Sequence, residues 1–319
     1  MKLNDKIYVA GHAGLVGSAF VRSLQNAGYD NLLLRTHAEL DLTEKTAVNE
    51  LFVTEKPDYV ILAAAKVGGI KANSDFPADF IDINLTIQHN IISAAHKYQV
   101  KRLCFLGSSC IYPREAEQPI KEESLLTGPL ELTNRPYAVA KIAGIEQCWA
   151  YNRQYGTQYI ALMPSNLYGI GDNYDLNNSH VLPALIRKVH EAKIKKMPEI
   201  IVWGSGRPKR EFLYADDLAA AGIMLLNLPD DEYREIVDSN VRPPLFNVGS
   251  GEDLTILELV KTIKNVLGYS GKIVWDSSMP DGTPRKLLDI SRVTSFGWKP
   301  KISLMEGIKL AYQDFLMRY

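Results

Sequence analysis

The sequence predicts an α/β fold in which a parallel, doubly wound sheet carries a smaller α/β domain at its C-terminal side. Short apolar runs alternate with amphipathic helical segments over the first half of the chain, and such alternation is typical of parallel sheets with helices on both faces. A glycine-rich turn follows the first apolar run, as in Rossmann-type domains. We expect a Rossmann domain at residues 1–168 plus about 211–235, and a substrate domain at 169–210 and 236–319.

The first predicted strand, residues 6–10, runs directly into the glycine turn. Gly11, Gly14 and Gly17 recur at a spacing of three and open an apolar helix. Glycines let backbone approach a pyrophosphate, and a helix N-terminus offers free N–H groups and the positive end of a dipole. The turn is therefore predicted to bind a dinucleotide, although an ordinary tight turn would also use glycine. The candidate cofactor residues of this turn are Gly11, His12, Ala13, Gly14, Leu15, Val16 and Gly17.

The second predicted strand, residues 31–34, ends in Arg35-Thr36-His37. An acidic residue at this place binds the ribose hydroxyls of NAD, whereas a cation accommodates the 2′-phosphate of NADP. Arg35 and His37 therefore favour NADP, and the alternative is a solvated surface arginine. Asp41 and Leu42, which lead into a helix at 43–55, join the cofactor candidates.

Two further strands are predicted at 59–63 and 103–106, with a long helix at about 80–98 between them. The fourth strand breaks into Gly107, Ser108, Ser109 and Cys110. In open α/β sheets ligands bind beyond the carboxyl ends of the strands, so this cluster is expected to face a pocket. The cofactor candidates here are Leu106, Gly107, Ser108 and Ser109.

Tyr137 and Lys141 lie four residues apart, which places them on one face of a helix predicted to run to about Asn152. A Ser, a Tyr and a Lys held together can reduce a carbonyl: the phenol gives a proton to the forming alkoxide, the ammonium lowers the pKa of the phenol, and the serine holds the carbonyl oxygen. The chain has 16 tyrosines, so about one Tyr-x-x-x-Lys would occur by chance. The Tyr-x-x-x-Lys motif indicates a reductase here only because the serine cluster follows the preceding strand.

The fifth predicted strand, residues 159–163, ends in Pro164, Ser165, Asn166 and Leu167, which complete the cofactor candidates. Beyond residue 171 a polar loop precedes a helix, and a strand at 200–203 precedes the densest basic cluster of the chain, at 204–210. Glycines between cations beside a tryptophan suit a diphosphate and a stacked base, although a solvated face is the ordinary alternative. Asp216 and Asp217 are expected to cap the helix that follows.

The composition excludes several classes of partner. A formal net charge of −1 argues against binding nucleic acid or a membrane surface. Three widely spaced cysteines do not suggest a disulfide framework or a metal site, so we expect reduced thiols, no metal and a cytoplasmic protein. No apolar run is long enough for a membrane span, and the few residues before the first strand leave no room for a signal peptide.

In this order the motifs resemble the extended short-chain dehydrogenase/reductases that act on nucleotide sugars, over the whole chain. Four blocks resemble the GDP-L-fucose synthase family within that superfamily. They are residues 107–113, 178–181, 202–206 and 281–286. The resemblance implies epimerisation at C3 and C5 of GDP-4-keto-6-deoxy-D-mannose, followed by reduction at C4 with NADPH, and it implies a homodimer by analogy of fold.

Matched residue by residue, the resemblance makes Ser108, Tyr137 and Lys141 the reductase triad, and Cys110 with His180 the epimerase acid/base pair. Lys141 and His180 would also contact the cofactor. The GDP-sugar would contact Lys188, Trp203, Arg210 and Asp281, with Lys286 nearby. Some members of the family carry Arg where this chain has Ala13 and His37, so the contacts to the 2′-phosphate of NADP differ here. Arg is also common at position 188, where this chain has Lys, which cannot make the bidentate contact that Arg makes to a phosphate.

Three other interpretations stay open from the sequence. Within enzymes, a reductase without epimerase activity or a 4-epimerase would not need Cys110 together with His180. A GDP-colitose synthase would use the same residues on a sugar that lacks one hydroxyl. A non-catalytic Rossmann protein that senses NADP(H) would keep the glycine turn but would have no chemical reason to keep Ser108, Tyr137 and Lys141 together.

Overall fold

The computed structural model describes residues 1–176, 179–278 and 283–319. The strands are β1 Ile7–Ala10, β2 Leu32–Leu33, β3 Tyr59–Leu62, β4 Arg102–Leu106, β5 Tyr159–Pro164, β6 Asn166–Tyr168, β7 Glu199–Trp203, β8 Lys209–Tyr214, β9 Leu245–Val248, β10 Asp253–Thr255, β11 Lys272–Asp276 and β12 Arg285–Lys286. The helices are α1 Leu15–Asn26, α2 Lys45–Glu55, α3 Ile70–Asp75, α4 Pro77–Lys97, α5 Arg135–Tyr155, α6 Val181–Ile194, α7 Ala215–Leu226, α8 Asp230–Val237, α9 Ile256–Leu267, α10 Ser291–Ser295 and α11 Leu304–Arg318.

The main sheet has six parallel strands in the order β2-β1-β3-β4-β5-β9. Its central strands are buried along their whole length, as the continuous apolar runs of the sequence indicate. The predicted fold class is therefore confirmed. The order reverses at β1, so the glycine turn after β1 and the ends of β3 and β4 meet at one edge of the sheet, where such folds bind ligands.

Each face of the sheet carries its own hydrophobic core because side chains alternate along a strand. On one face Cys104 and Leu106 pack with α1, α7 and α8. On the other face Leu103 and Phe105 pack with α2, α4 and α5. The second face therefore presses α5, which carries the predicted tyrosine and lysine, against the end of β4.

A second layer of structure lies beyond the main sheet. The strands β10, β8 and β12 form one sheet, which β6 joins through β8, and β7 pairs with β11. A third core joins these strands to α6, α9 and α11. The strand Leu245–Val248 belongs to the main sheet, although the predicted division places it in the substrate domain. The rest of that division stays a prediction.

The basic cluster at residues 204–210 runs into a strand, since β8 begins at Lys209. One local expectation was wrong. Asp216 and Asp217 lie inside the first turn of α7 instead of capping it. Asp216 accepts two hydrogen bonds from the Arg22 guanidinium, at 3.0 and 2.8 Å, and the Asp217 carboxylate accepts the N–H groups of residues 301 and 302. These acids therefore hold other segments to α7.

Candidate active site

The predicted reductase residues meet at the carboxyl end of β4. Lys141 on α5 is buried and donates from Nζ to the carbonyl oxygen of Leu106 at 2.7 Å. Its ammonium lies 5.8 Å from the centre of the Tyr137 ring, and the Ser108 hydroxyl is near enough to the Tyr137 phenol to lower its pKa. The structure therefore brings Ser108, Tyr137 and Lys141 together, as the sequence predicts.

Burial controls the protonation of this group. Desolvation raises the pKa of Tyr137, the neighbouring Cys110 raises it further, and the Ser108 hydrogen bond opposes both. The pKa of Lys141 is lowered to about 8 by desolvation. A phenol with a raised pKa is protonated at neutral pH, and a neighbouring ammonium is the kind of group that would make it a stronger acid.

Cys110 lies directly beside this group, in a short 3₁₀ turn after β4. Its backbone N–H donates to Ser108 Oγ at 3.4 Å, so the turn fixes the thiol and the hydroxyl together. Burial raises the pKa of the thiol, while the ammonium groups of Lys286 and Lys141 and the Ser108 hydrogen bond lower it. The other two cysteines, Cys104 and Cys148, are fully buried in the two cores.

His180 occupies the N-cap position of α6 without making a side-chain cap. The preceding residue, Ser179, packs on Gly69 at the N-cap of α3, where an added Cβ would lie 3.6 Å from the Ser179 carbonyl oxygen. The His180 side chain is exposed, yet desolvation by the surrounding protein lowers its pKa. Within the described part of the chain, no hydrogen bond joins His180 to Cys110.

The glycine turn is built for close backbone approach. Gly11 has a left-handed φ of +83°, and a Cβ there would lie 2.6 Å from the Ala64 nitrogen. A Cβ on Gly17 would lie 2.0 Å from the Gly11 carbonyl oxygen. Gly14 is the N-cap of α1, whose first turn has no acidic residue to repel a phosphate.

Two buried polar atoms just after β1 and β5 fit the implied dinucleotide. His12 Nδ1 and Ser165 Oγ have no hydrogen-bond partner among the described residues, and a buried polar group without a partner is costly unless a ligand or water supplies one. Ala13 precedes the N-cap Gly14, and Leu15 and Val16 are the first residues of α1. The residues present therefore fit a dinucleotide at this edge of the sheet.

The predicted phosphate cation makes an ion pair within the protein. Arg35, just after β2, contacts Glu55 at the end of α2, with 2.7 Å between Nη2 and Oε1. His37 is exposed. Asp41 accepts the N–H of Thr43 at 2.9 Å, and the carbonyl of the adjacent Leu42 accepts from Asn90. These residues hold the segment between β2 and α2 in place.

Residues 106–109 and 164–167 lie side by side because β4 and β5 are neighbours. The Gly107 N–H donates to the Leu162 carbonyl at 2.9 Å, and a Cβ on Gly107 would collide with Met163. Ser109 is buried beside this strand end. The N–H of Ser165 donates to Val248, and the Asn166 amide donates to the Glu211 carbonyl. The main sheet is thus linked to β8 by the segment Pro164, Ser165, Asn166 and Leu167.

The predicted substrate residues lie in two groups. Lys188 Nζ lies 5.0 Å from the centre of the Trp203 ring, a cation–π distance, and Trp203 is 57% exposed, which leaves a face for stacking. Arg210 and Lys286 are register partners on the parallel strands β8 and β12. Asp281 lies outside the described residues.

Aromatic packing around the reductase group could not be read from the sequence. The Phe105 ring centre lies 4.8 Å from Lys141 Nζ, and Phe80 meets the Tyr137 ring edge-on at 6.1 Å. Gly144, one turn after Lys141, makes room for Phe105, since a Cβ there would lie 2.4 Å from that ring. No local motif marks these contacts, because they join residues far apart in the chain.

Two further properties bear on the class of site. Among the described residues, no helix combines the length and the apolar character that crossing a membrane requires. No cluster of three or more His, Cys, Asp or Glu side chains suited to a metal ion occurs in the part of the chain that the structure describes.

Comparison with known proteins places this geometry in a family. The model of the NAD dependent epimerase/dehydratase family matches residues 7–248. GDP-L-fucose synthase 1 of Arabidopsis thaliana is 55% identical, with 98% of this chain and 93% of the relative covered. GDP-L-fucose synthase of Escherichia coli K12 is 53% identical, with 98% and 97% covered. The structure of a GDP-L-fucose synthetase from Naegleria fowleri bound to NADP has a TM-score of 0.87 and 27% identity, with 100% and 96% covered. The chain belongs to the NAD dependent epimerase/dehydratase family, and within it to the GDP-L-fucose synthases.

Proposed function

We propose that this protein converts GDP-4-keto-6-deoxy-D-mannose to GDP-L-fucose by epimerisation at C3 and C5 followed by NADPH-dependent reduction at C4. The observation that carries the proposal is the juxtaposition of a second titratable group, Cys110, with the reductase residues Ser108, Tyr137 and Lys141 at the end of β4. A reductase alone would need only the last three.

In the reduction step, bound NADPH supplies the hydride to C4. Tyr137 donates its phenolic proton to the forming alkoxide, and Ser108 holds the oxygen through its hydroxyl. Lys141 stays fixed by the Leu106 carbonyl, so its ammonium lies beneath the Tyr137 ring and supports the phenolate left after proton transfer.

In the epimerisation steps, the 4-keto group acidifies the protons on C3 and C5. Ser108 and Tyr137 stabilise the enolate oxygen with the same hydroxyls that serve in reduction. We assign Cys110 as the base and His180 as the acid. Burial raises the pKa of Cys110 and lowers that of His180, so the thiolate that acts as base and the imidazolium that acts as acid are each the minor form near neutral pH. Base action by Cys110 therefore depends on the two ammonium groups that favour its thiolate, Lys286 and Lys141.

The remaining assignments follow the same proposal. The turn at residues 11–17, the segments 106–109 and 164–167, and Arg35 hold NADP(H), with His37, Asp41 and Leu42 beside them. Lys188, Trp203, Arg210, Asp281 and Lys286 bind the GDP-sugar, and His180 contacts both ligands. The protein acts as a homodimer in the cytoplasm.

The test is incubation of the purified protein with NADPH and GDP-4-keto-6-deoxy-D-mannose, with the product identified by NMR. GDP-L-fucose with stoichiometric oxidation of NADPH is expected. A parallel incubation uses the keto sugar that lacks the C3 hydroxyl, and faster turnover of that sugar would favour a GDP-colitose synthase. Reduction without inversion at C3 and C5 would leave only a reductase, and binding of NADPH without turnover of either sugar would favour a cofactor-sensing protein.

A further inference from the structure

Glu211 is a buried carboxylate with no place in the mechanism above. It lies within β8 and is 0% exposed. The N–H of Gly251 donates to its Oε1 at 2.8 Å, and the N–H of Leu288 donates to its Oε2 at 3.0 Å. Gly249 is needed to make room, because a Cβ there would lie 2.1 Å from Oε1. Both oxygens therefore act as acceptors, as they do in an ionised carboxylate.

The position of Glu211 joins the cofactor side of the site to the substrate side. Its backbone carbonyl accepts from the Asn166 amide at 2.8 Å, and Asn166 belongs to the proposed cofactor segment. Its carboxylate holds the N–H of Leu288, two residues beyond Lys286. Glu211 thus contacts both the proposed cofactor segment, through Asn166, and the chain just beyond Lys286, through Leu288.

Arg210 and Lys286 need such support because they are neighbouring cations. They are register partners on parallel strands, and Arg210 lowers the pKa of Lys286, although burial lowers it more. Successive side chains on a strand point to opposite faces, so Arg210 points away from the side that buries Glu211. The bond from Leu288 to Glu211 fixes the end of β12 against β8, and so holds the two cations in register.

We propose that Glu211 is a positioning residue for the diphosphate of the substrate, holding Arg210 and Lys286 side by side through the backbone of β8 and β12. The inference rests on the proposed function, because it takes a GDP-sugar as the ligand of these cations. Glu211 itself touches neither ligand.

The ionisation of Glu211 gives this role a pH dependence. Burial raises its pKa to about 7, backbone N–H groups lower it, and Asp253 on β10 raises it. The charged groups around it are Asp253, which is ion-paired with Arg285 of β12, Lys286 on the same strand and Arg210 on its own strand. Protonation turns one acceptor oxygen into a donor that faces an N–H. Diphosphate affinity is therefore expected to rise with pH through about 7, where the carboxylate forms.

The stability of the fold should follow pH in the opposite sense. A carboxyl whose pKa is raised by folding contributes stability below its unfolded pKa, and that contribution is lost as pH rises through the folded value. For Glu211 the window runs from 4.5 to about 7. Ionisation thus weakens the fold while it organises the substrate cations, so the two effects can be separated by experiment.

The experiment measures binding of GDP-mannose and of NADPH by calorimetry in Glu211→Gln, with Glu258→Gln as the matched control. Glu258 also accepts a backbone N–H, that of Thr255 at 2.8 Å, but it caps α9 in an exposed position. Glu211→Gln should raise the Kd for GDP-mannose about tenfold or more, leave the Kd for NADPH within about twofold, and remove the rise of GDP-mannose affinity with pH. The control should bind both ligands like the wild type.

The sign of the effect distinguishes positioning from simple charge. Removing a negative charge next to two cations would by itself tighten binding of a diphosphate, so unchanged or tighter binding of GDP-mannose by Glu211→Gln would overturn the proposal. If that variant does not fold, the wild-type protein still decides, since GDP-mannose affinity that is flat between about pH 6 and about pH 8 would refute the role. If the wild-type protein binds neither GDP-mannose nor GDP-4-keto-6-deoxy-D-mannose, the proposed function fails and the role of Glu211 fails with it.

Discussion

At the scale of single residues, burial and nearby cations shift the pKa of the Cys110 thiol in opposite directions. Burial raises the pKa of the Cys110 thiol, and Lys286 is the first of the groups that lower it. The same burial lowers the pKa of Lys141 to about 8. The cations are themselves partly desolvated, so each proton in this pocket depends on the charge of its neighbours.

Cys110→Ser should abolish incorporation of solvent deuterium at C3 and C5, because a serine hydroxyl has no accessible anionic form near neutral pH. A pre-epimerised keto sugar should still be reduced. In the wild type the exchange rate should rise with pH up to the pKa of the thiol, since that pKa is raised and the thiolate is the base. NMR and mass spectrometry measure the exchange.

Cys148→Ser is the matched control for that experiment, because Cys148 is a free, buried thiol on the core side of α5. It should exchange deuterium like the wild type. Wild-type exchange in Cys110→Ser would show that Cys110 is not the base, and a parallel loss of reduction would show that the two stages cannot be separated.

Tyr137→Phe should lower NADPH oxidation by roughly two or more orders of magnitude, as expected for loss of a positioned general acid. The edge-on contact with Phe80 remains in the variant, so the fold should be kept. The rate of absorbance loss of NADPH measures the effect. Tyr174→Phe is the control, since it removes a fully buried phenol that donates to the Ala311 carbonyl at 2.7 Å in another core. A folded Tyr137→Phe protein with near-normal turnover would contradict the assignment.

At the scale of elements, local signals predict the main sheet and fail in the second layer. The strands β1, β3, β4 and β5 are continuous apolar runs, so their burial can be read directly. The strand β8 begins with Lys209, Arg210 and Glu211, and it is buried only from Glu211 onward. The charged residues at the start of β8 interrupt the apolar run that would indicate a buried strand. The strand is instead defined by pairing with β6, β10 and β12, which are not adjacent to it in sequence.

In the candidate site, too, some placements follow from local motifs and others do not. Spacing alone places Tyr137 and Lys141 on one face of α5, and strand ends place Ser108 beside them. The partner of Arg35 could not be foreseen, because Glu55 lies 20 residues away at the end of another element. Contacts of this kind depend on how α2 packs on the sheet, which no single motif encodes.

Arg35→Ala should narrow the preference for NADPH over NADH, because a charge-assisted hydrogen bond to the 2′-phosphate contributes roughly 1.5–3 kcal/mol. Glu55 competes for the same guanidinium at 2.7 Å, so Glu55→Gln should leave the preference intact or widen it. Fluorescence titration gives the two dissociation constants for each protein. Equal affinity of the wild type for both cofactors would refute the role of Arg35.

At the scale of the whole molecule, the two halves of the site come from different layers. The reductase residues lie at the end of the main sheet, whereas Arg210 and Lys286 lie on β8 and β12 of the second sheet. The layers are joined by β6, which follows β5 after a single residue and pairs with β8. A change in the second layer can therefore alter substrate binding while the cofactor turn stays in place.

Assembly is the last expectation at this scale. The helices α4 and α5 pack together on one face of the main sheet and keep an exposed seam between them. His96 on α4 stacks on Tyr155 of α5 with 4.2 Å between ring centres, and Tyr155 is 50% exposed. Two copies of this surface could form a symmetric four-helix interface, in which the same patch serves both subunits.

Light scattering should therefore give twice the monomer mass at micromolar concentration. Tyr155→Glu should shift the protein towards monomer, because a charge buried without a partner in an interface is costly. Tyr319→Glu changes a similarly exposed tyrosine, 64% accessible at the end of α11, and should leave the dimer intact. A monomeric mass for the wild type would rule out the dimer, and an unchanged dimer in Tyr155→Glu would place the interface elsewhere.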